Sequence, residues 1–231
     1  MIKVASYNIR KGIGTDRIRS PDRILQVLRE IDADVIALQE ADRRFGRRAA
    51  ILAPHHLEDH SPWKAVPFGK REHSSGWHGN VLLVRKDSTI TDCEAIHLPT
   101  LEPRGAVMAD LRVNGERVRI VGMHLDLSGL MRRRQADAII AHLDASTDRL
   151  PTVMMGDLNE WTRHSGCLKD FAKRFTIAAT GPSFHARRPV GRLDRIMASP
   201  ELKIADCGVH HSPASRTASD HLPIWARIES A

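Results

Sequence analysis

Six short segments of this sequence carry side chains suited to acid–base or metal chemistry, and each lies in or at the end of an apolar run. Asn8 closes the run that begins at Ile2, and Glu40 follows Val35-Ile36-Ala37-Leu38-Gln39. His124 ends Gly122-Met123-His124, and Gly156-Asp157-Leu158-Asn159 follows Thr152 to Met155. Asp194 lies inside Leu193 to Met197, and Ser219-Asp220-His221 opens the last apolar stretch. Carboxylates and amide oxygens without thiolates suit a hard cation such as Mg²⁺ or Mn²⁺. The histidines supply acid–base or charge-stabilising groups. Asp194, between apolar neighbours, is costly to bury unless it is paired, and a buried Asp can orient an imidazole. In Asp157-Leu158-Asn159 the polar residues are two apart, so an extended chain turns them to one side, and the preceding Gly permits close approach. Singly, each segment has a plainer reading: Asn8 as a turn residue, Glu40 as a surface carboxylate, the 156–159 and 219–221 segments as a turn and a capped strand entry.

Strand ends are where sheet proteins place reactive groups, so the apolar runs must be strands. Ile2 to Ile9 reads as the first. Ser20-Pro21-Asp22 predicts a helix start, with Ser as N-cap, Pro at the first helical position and Asp at the positive end. Val35 to Leu38 is the next strand. Residues 53–79, rich in His, Pro and Gly, read as a long loop. Strands are expected over 80–85 and 91–98, and Asn114-Gly115 predicts a hairpin between 106–113 and 116–123. Helices are expected over 130–143 and 165–175, and strands over 152–155, 193–198, 202–209 and 222–228. Many strands with few helices imply a sheet-rich α/β architecture, read as one domain over residues 1–231.

The chain has 231 residues, 42% hydrophobic and 27% charged, enough to bury a substantial core. Cys93, Cys167 and Cys207 are scattered, which argues against a disulfide framework or a cysteine zinc site. With no signal-like or membrane-length apolar segment, the expectation is a cytoplasmic protein, without a transmembrane segment and monomeric. The net charge of +7 favours polyanionic partners, with Arg grouped at 43, 44, 47 and 48, at 132–134, and at 187, 188 and 192. Aromatics at 4% leave few stacking platforms, so phosphate recognition fits better than base reading.

The segments Ser6-Tyr7-Asn8-Ile9, Leu38-Gln39-Glu40, Gly79-Asn80, Met123-His124-Leu125, Gly156-Asp157-Leu158-Asn159, Leu193-Asp194-Arg195-Ile196 and Ser219-Asp220-His221 stand in one order. In that order the chain resembles the endonuclease/exonuclease/phosphatase superfamily, which includes deoxyribonucleases, abasic-site endonucleases, inositol-polyphosphate phosphatases and neutral sphingomyelinases. The segment from Leu125 to Gln135 is similar to its small bacterial members. The resemblance implies a four-layer α/β/β/α sandwich of two packed mixed sheets flanked by helices. It implies Mg²⁺ or Mn²⁺ on Glu40, with Asn8 and Asp220 nearby. Asp157 and Asn159 would position the attacking water and the phosphoryl group, or hold a second metal. His221 would be the general base or transition-state stabiliser, Asp194 its partner, and His124 would act on the phosphate from the other side. Asn80 would bind a phosphate oxygen. Many nuclease members carry a carboxylate where this chain has Arg10, so an added metal is disfavoured and Arg10 could hold a substrate phosphate.

The expected activity is metal-dependent hydrolysis of phosphodiester or phosphomonoester bonds in a phosphate-ester substrate, nucleic acid or phospholipid headgroup among them. A DNA or RNA nuclease is the alternative, and an inactive phosphate-binding module the remote one. Pocket walls are expected from 53–79, from Trp161 and from 184–192. Trp161 is either a substrate platform or an ordinary packing residue.

Overall fold

The computed structural model describes residues 1–42, 50–68, 76–100, 102 and 104–231. The chain opens with β1 (Ile2–Asn8), α1 (Pro21–Ile31) and β2 (Val35–Gln39). Helix α1 starts as the sequence predicts: the Ser20 hydroxyl accepts from the Arg23 amide, Pro21 leads and Asp22 follows. Asp32, at φ 52°, ends it. Ile24, Leu25, Val27, Leu28 and Ile31 are buried, the stripe that fixes the helix to its sheet. Strand β2 pairs with β1 in parallel, with Asn8 beside Gln39.

Next come α2 (Pro54–His60), β3 (Trp63–Ala65), β4 (Val81–Arg85), β5 (Thr89–Ile96), β6 (Gly105–Val113) and β7 (Glu116–His124). The hairpin forms where expected, with Asn114 and Gly115 at φ 50° and 85°. Then follow α3 (Gly129–Ala145), β8 (Thr152–Asp157), α4 (Cys167–Phe171), β9 (Thr176–Ile177), β10 (Asp194–Ala198), β11 (Leu202–Val209), α5 (Ser215–Ala218) and β12 (Ile224–Ser230).

The strands make two six-stranded mixed sheets, ordered β11-β12-β1-β2-β4-β3 and β5-β6-β7-β8-β10-β9. Three apolar clusters separate four layers. Val4, Ala37, Leu82, Val107, Ile120, Met155, Ile196 and Ala226 fill the space between the sheets. Tyr7, Ile24, Leu28, Leu38 and Leu57 join the first sheet to α1 and α2. Met123, Ala136, Ile139, Met154 and Phe171 join the second to α3 and α4. This is the α/β/β/α sandwich that the resemblance implied.

Three expectations about elements need correction. The loop at 53–79 contains α2 and β3. Leu57 is buried and Trp63 is fully buried, its indole N–H donating to the Ala33 carbonyl at 2.8 Å; a helix this short has no periodicity to read. The Arg group at 43–48 and residues 69–75 of that stretch lie outside the described residues. The helix expected over 165–175 spans only Cys167–Phe171, and Gly166, held at φ 61°, fixes its start. A Cβ there would fall 2.1 Å from Glu160 Oε2, so the chain is pinned before the helix begins. The last strand starts at Ile224, leaving 219–223 as a loop over the site.

Candidate active site

Strand register brings the candidate residues to one edge of both sheets. In the second sheet Gly105 lies beside His124, His124 beside Asp157, and Asp157 beside Asp194. In the first, Asn8 ends β1 and Glu40 follows β2. The sheets are joined at this edge by a buried hydrogen bond from Asn8 Nδ2 to Asp157 Oδ2 at 2.9 Å. The loop at 219–223 is fastened to the same place, since the Ser219 hydroxyl donates to the Asn8 carbonyl at 2.7 Å.

Asp194 is almost wholly buried, and the partners that offset its burial converge on Oδ2, while Oδ1 accepts no hydrogen bond from the described residues. His221 Nδ1 lies 2.9 Å from its Oδ2, and the Ser183 hydroxyl donates to the same oxygen. His221 Nε2 then points at Asp157 Oδ2, 3.7 Å away. Burial alone pushes this imidazole down. The charges of Asp194, Asp157 and Asp220 and the Asp194 hydrogen bond outweigh it and raise His221 to about 10. At neutral pH it is an imidazolium. The Phe184 ring covers one side, with centroids 4.9 Å apart.

His124 approaches from the other side, its Nε2 3.5 Å from Asp157 Oδ2. Burial takes it down to about 3; Asp157 pulls the other way and the guanidinium of Arg104 adds to the fall. Arg104 Nη1 contacts both ring nitrogens of His124, with Nδ1 2.8 Å away. His124 is therefore neutral when His221 is charged.

Asp157 divides its oxygens. Oδ1 accepts the Asn159 amide at 2.9 Å, a local turn that sets Asn159 at φ 49°. Asn159 consequently does not lie alongside Asp157 on an extended chain, as its spacing suggested; its Nδ2 donates to the Leu125 carbonyl at 2.9 Å. Gly156 permits a close approach, as its place predicts, and the group that approaches is backbone. A Cβ there would meet the Met123 carbonyl oxygen at 1.9 Å, so it serves the close pairing of β7 and β8 rather than a ligand. Asn80 gives its amide protons to the carbonyls of Trp77 and Gly105 at 3.2 and 3.1 Å, which holds the entries to β4 and β6 together.

Glu40 and Asp220 each face a cation from the turn after β1. Lys11 Nζ binds Glu40 Oε2, and Arg10 Nε lies 3.2 Å from Asp220 Oδ2. Arg10, Lys11 and Gly12 all have positive φ, a strained turn of the sort that persists where surroundings over-determine it. Two carboxylates already neutralised by an ammonium and a guanidinium form a place where positive charge is needed, and oxygen donors suit a hard dication. Asp157, Asp194 and His221 also bring one ligand atom each within 4.8 Å of one another. Because His221 Nδ1 is engaged by Asp194, that trio fits a carboxylate–imidazole pair facing a second carboxylate better than a ligand set.

Arg104, Ser183 and Ser219 were not singled out for these roles. Nothing local marks Ser183 or Arg104. Ser219 was in view as part of its motif, but its bond to Asn8 spans 211 residues.

The model of the Endonuclease/Exonuclease/phosphatase family matches residues 5–221. The chain belongs to this family. Its members are metal-dependent phosphoester hydrolases, and the match runs through every segment on which the resemblance was based. An endonuclease/exonuclease/phosphatase from Bacteroides vulgatus superposes with a TM-score of 0.80 at 20% identity, covering 100% of this chain and 99% of that one. D. rerio TDP2 complexed with a single-strand DNA product gives 0.75 at 15%, covering 99% of each. A mannosyl-6-phosphatase from Bacteroides thetaiotaomicron gives 0.72 at 18%, covering 99% and 100%. At these identities the likeness is one of fold. No curated protein sequence matches the chain.

Proposed function

We propose that this family member hydrolyses phosphodiester or phosphomonoester bonds with Mg²⁺ or Mn²⁺. The observation that carries the reading is the line Asp194–His221–Asp157: a buried carboxylate on one imidazole nitrogen and an acceptor oxygen facing the other. Glu40, with Asn8 and Asp220, would hold the dication, which would supply neutralisation of phosphate charge at the site. Asp157 Oδ2 is the acceptor that orients the attacking water. His221, kept charged by Asp194, stabilises the charge that accumulates on the phosphoryl oxygens, which supports the stabiliser role over that of a free base. Neutral His124 hydrogen-bonds the phosphate from the opposite side, with Arg104 fixing its ring. Arg10 binds a further phosphate oxygen. Asn159 and Asn80, whose amides serve backbone carbonyls, act by holding the site loops.

A purified sample hydrolysing an aryl phosphodiester or monoester only with Mg²⁺ or Mn²⁺, and losing turnover in His221→Ala, is the expected result. A nuclease is the second reading, favoured by the net charge of +7 and by the fold shared with the TDP2–DNA complex. Degradation of plasmid or single-stranded DNA in preference to small esters, with affinity falling steeply with salt, would select it.

A further inference from the structure

Among the described residues the large apolar side chains at least 60% exposed are Met1, Ile18, Leu127, Leu130, Trp161 and Val190. Isolated exposed apolar residues are ordinary on a soluble protein, but a grouping at one edge is not. All except Met1 stand on segments that border the catalytic edge. Ile18 follows β1, Leu127 lies between β7 and α3, Leu130 is in the first turn of α3, Trp161 follows β8, and Val190 precedes β10.

Contacts tie these segments into one band. The guanidinium of Arg132 donates to the Leu127 carbonyl at 2.7 Å and to Glu160 Oε2 at 3.1 Å, one residue from Trp161. Trp161 meets Phe184 edge-on at 5.9 Å, and Gly191 passes so near that a Cβ there would be 3.1 Å from the indole. Val190 is the neighbour of Gly191. From the same loop Arg187 donates to the Thr15 carbonyl at 2.9 Å, in the loop that carries Ile18. Arg17, Arg19, Arg163, Arg187 and Arg188 are exposed on these segments, whereas the exposed carboxylate there, Asp16, is bound to Arg23 at 2.8 Å.

We infer that this edge docks on an anionic phospholipid bilayer and presents the site to phospholipid headgroups. Aliphatic tips gain free energy by leaving water for the headgroup–acyl boundary, and interleaved arginines gain from lipid phosphates. A nucleic-acid surface would reward the arginines but not Ile18, Leu127, Leu130 and Val190, and would favour stacking aromatics, of which this band exposes only Trp161. No helix among the described residues is long and apolar enough to cross a membrane, so the docking is peripheral. The headgroup as substrate rests on the phosphoesterase reading; the docking itself does not.

Co-sedimentation tests it, using the full chain in EDTA with vesicles of phosphatidylcholine alone or of phosphatidylcholine mixed with phosphatidylglycerol, and the combined variant Leu127→Asp with Leu130→Asp, two exposed tips outside the expected pocket walls. The wild type should pellet with the mixed vesicles only. The variant should partition about tenfold more weakly or worse, having lost two buried apolar tips and gained two repelled charges, while its hydrolysis of a soluble aryl phosphodiester stays at the wild-type level. Wild type remaining in the supernatant with mixed vesicles overturns the inference. So does a variant that pellets equally well, or binding of a duplex oligonucleotide without binding of vesicles. Vesicle binding by a chain that hydrolyses no phosphoester would uphold the docking and reject the catalytic reading.

Discussion

His124 and His221 aim their Nε2 atoms at the same oxygen, Asp157 Oδ2, from 3.5 and 3.7 Å. There His221 is charged and His124 neutral. His221 Nδ1 rests on a buried carboxylate, whereas the Arg104 guanidinium contacts both ring nitrogens of His124. One ring can donate a charged hydrogen bond to a phosphate while the other stays neutral beside it.

That asymmetry sets a pH dependence of stability in the metal-free protein. His221 titrates near 10 when folded and near 6.5 when unfolded, so its contribution is complete below about pH 6.5 and is lost as pH rises toward 10. His124 titrates near 3 when folded, so its unfolded form takes up protons first, and stability is lost as pH falls from about 6.5 toward 3. Thermal unfolding in EDTA across this range should show both losses. His221→Asn should flatten the alkaline side, and His124→Asn the acid side; unchanged slopes would contradict the assigned charge states.

Lys11 holds Glu40 in the absence of a dication, so ammonium and metal compete for one carboxylate. Lys11→Met should lower the Mg²⁺ concentration that gives half-maximal hydrolysis by several-fold, because it removes a positive charge next to the cation. Titration of activity with Mg²⁺ measures this, and an unchanged or higher requirement would show that Lys11 does not compete.

Arg119 and Asp110 form a buried two-pronged pair, with 2.7 Å contacts from Nε and Nη2, near the opposite ends of the strands. Arg119→Met leaves Asp110 buried without its counter-charge and should cost about 3 kcal/mol or more in denaturant unfolding. At temperatures where the variant is folded its kcat should match the wild type. A large loss of kcat in folded protein would mean that the two ends of the sheets are coupled.

Much of this was legible in the sequence because local rules were obeyed. Ser20-Pro21-Asp22 and Asn114-Gly115 are short-range signals, and the polar residues of the site stand out against the apolar runs they terminate. What was not legible depends on partners distant in the chain. The Asn8 amide meets Asp157 across 149 residues. Ser183 and Arg104 acquire their roles only when β10 and β7 are placed beside them. Asn159 misled because spacing assumes an extended chain, and the Asp157 side chain instead bends the backbone into a turn. Helix α2 is too short for its buried Leu57 to produce a period.

The central claim is that Asp194, His221, Asp157 and Glu40 form one metal-dependent phosphoester-hydrolysing site. Its most direct test is the rate of aryl phosphodiester and monoester hydrolysis with Mg²⁺ and with EDTA, for wild type, His221→Ala and Glu40→Ala, each with a thermal unfolding curve. The account predicts no turnover in EDTA and a fall on the order of 10²–10⁴ in both folded variants. Near-normal Mg²⁺-dependent turnover in either one would contradict it.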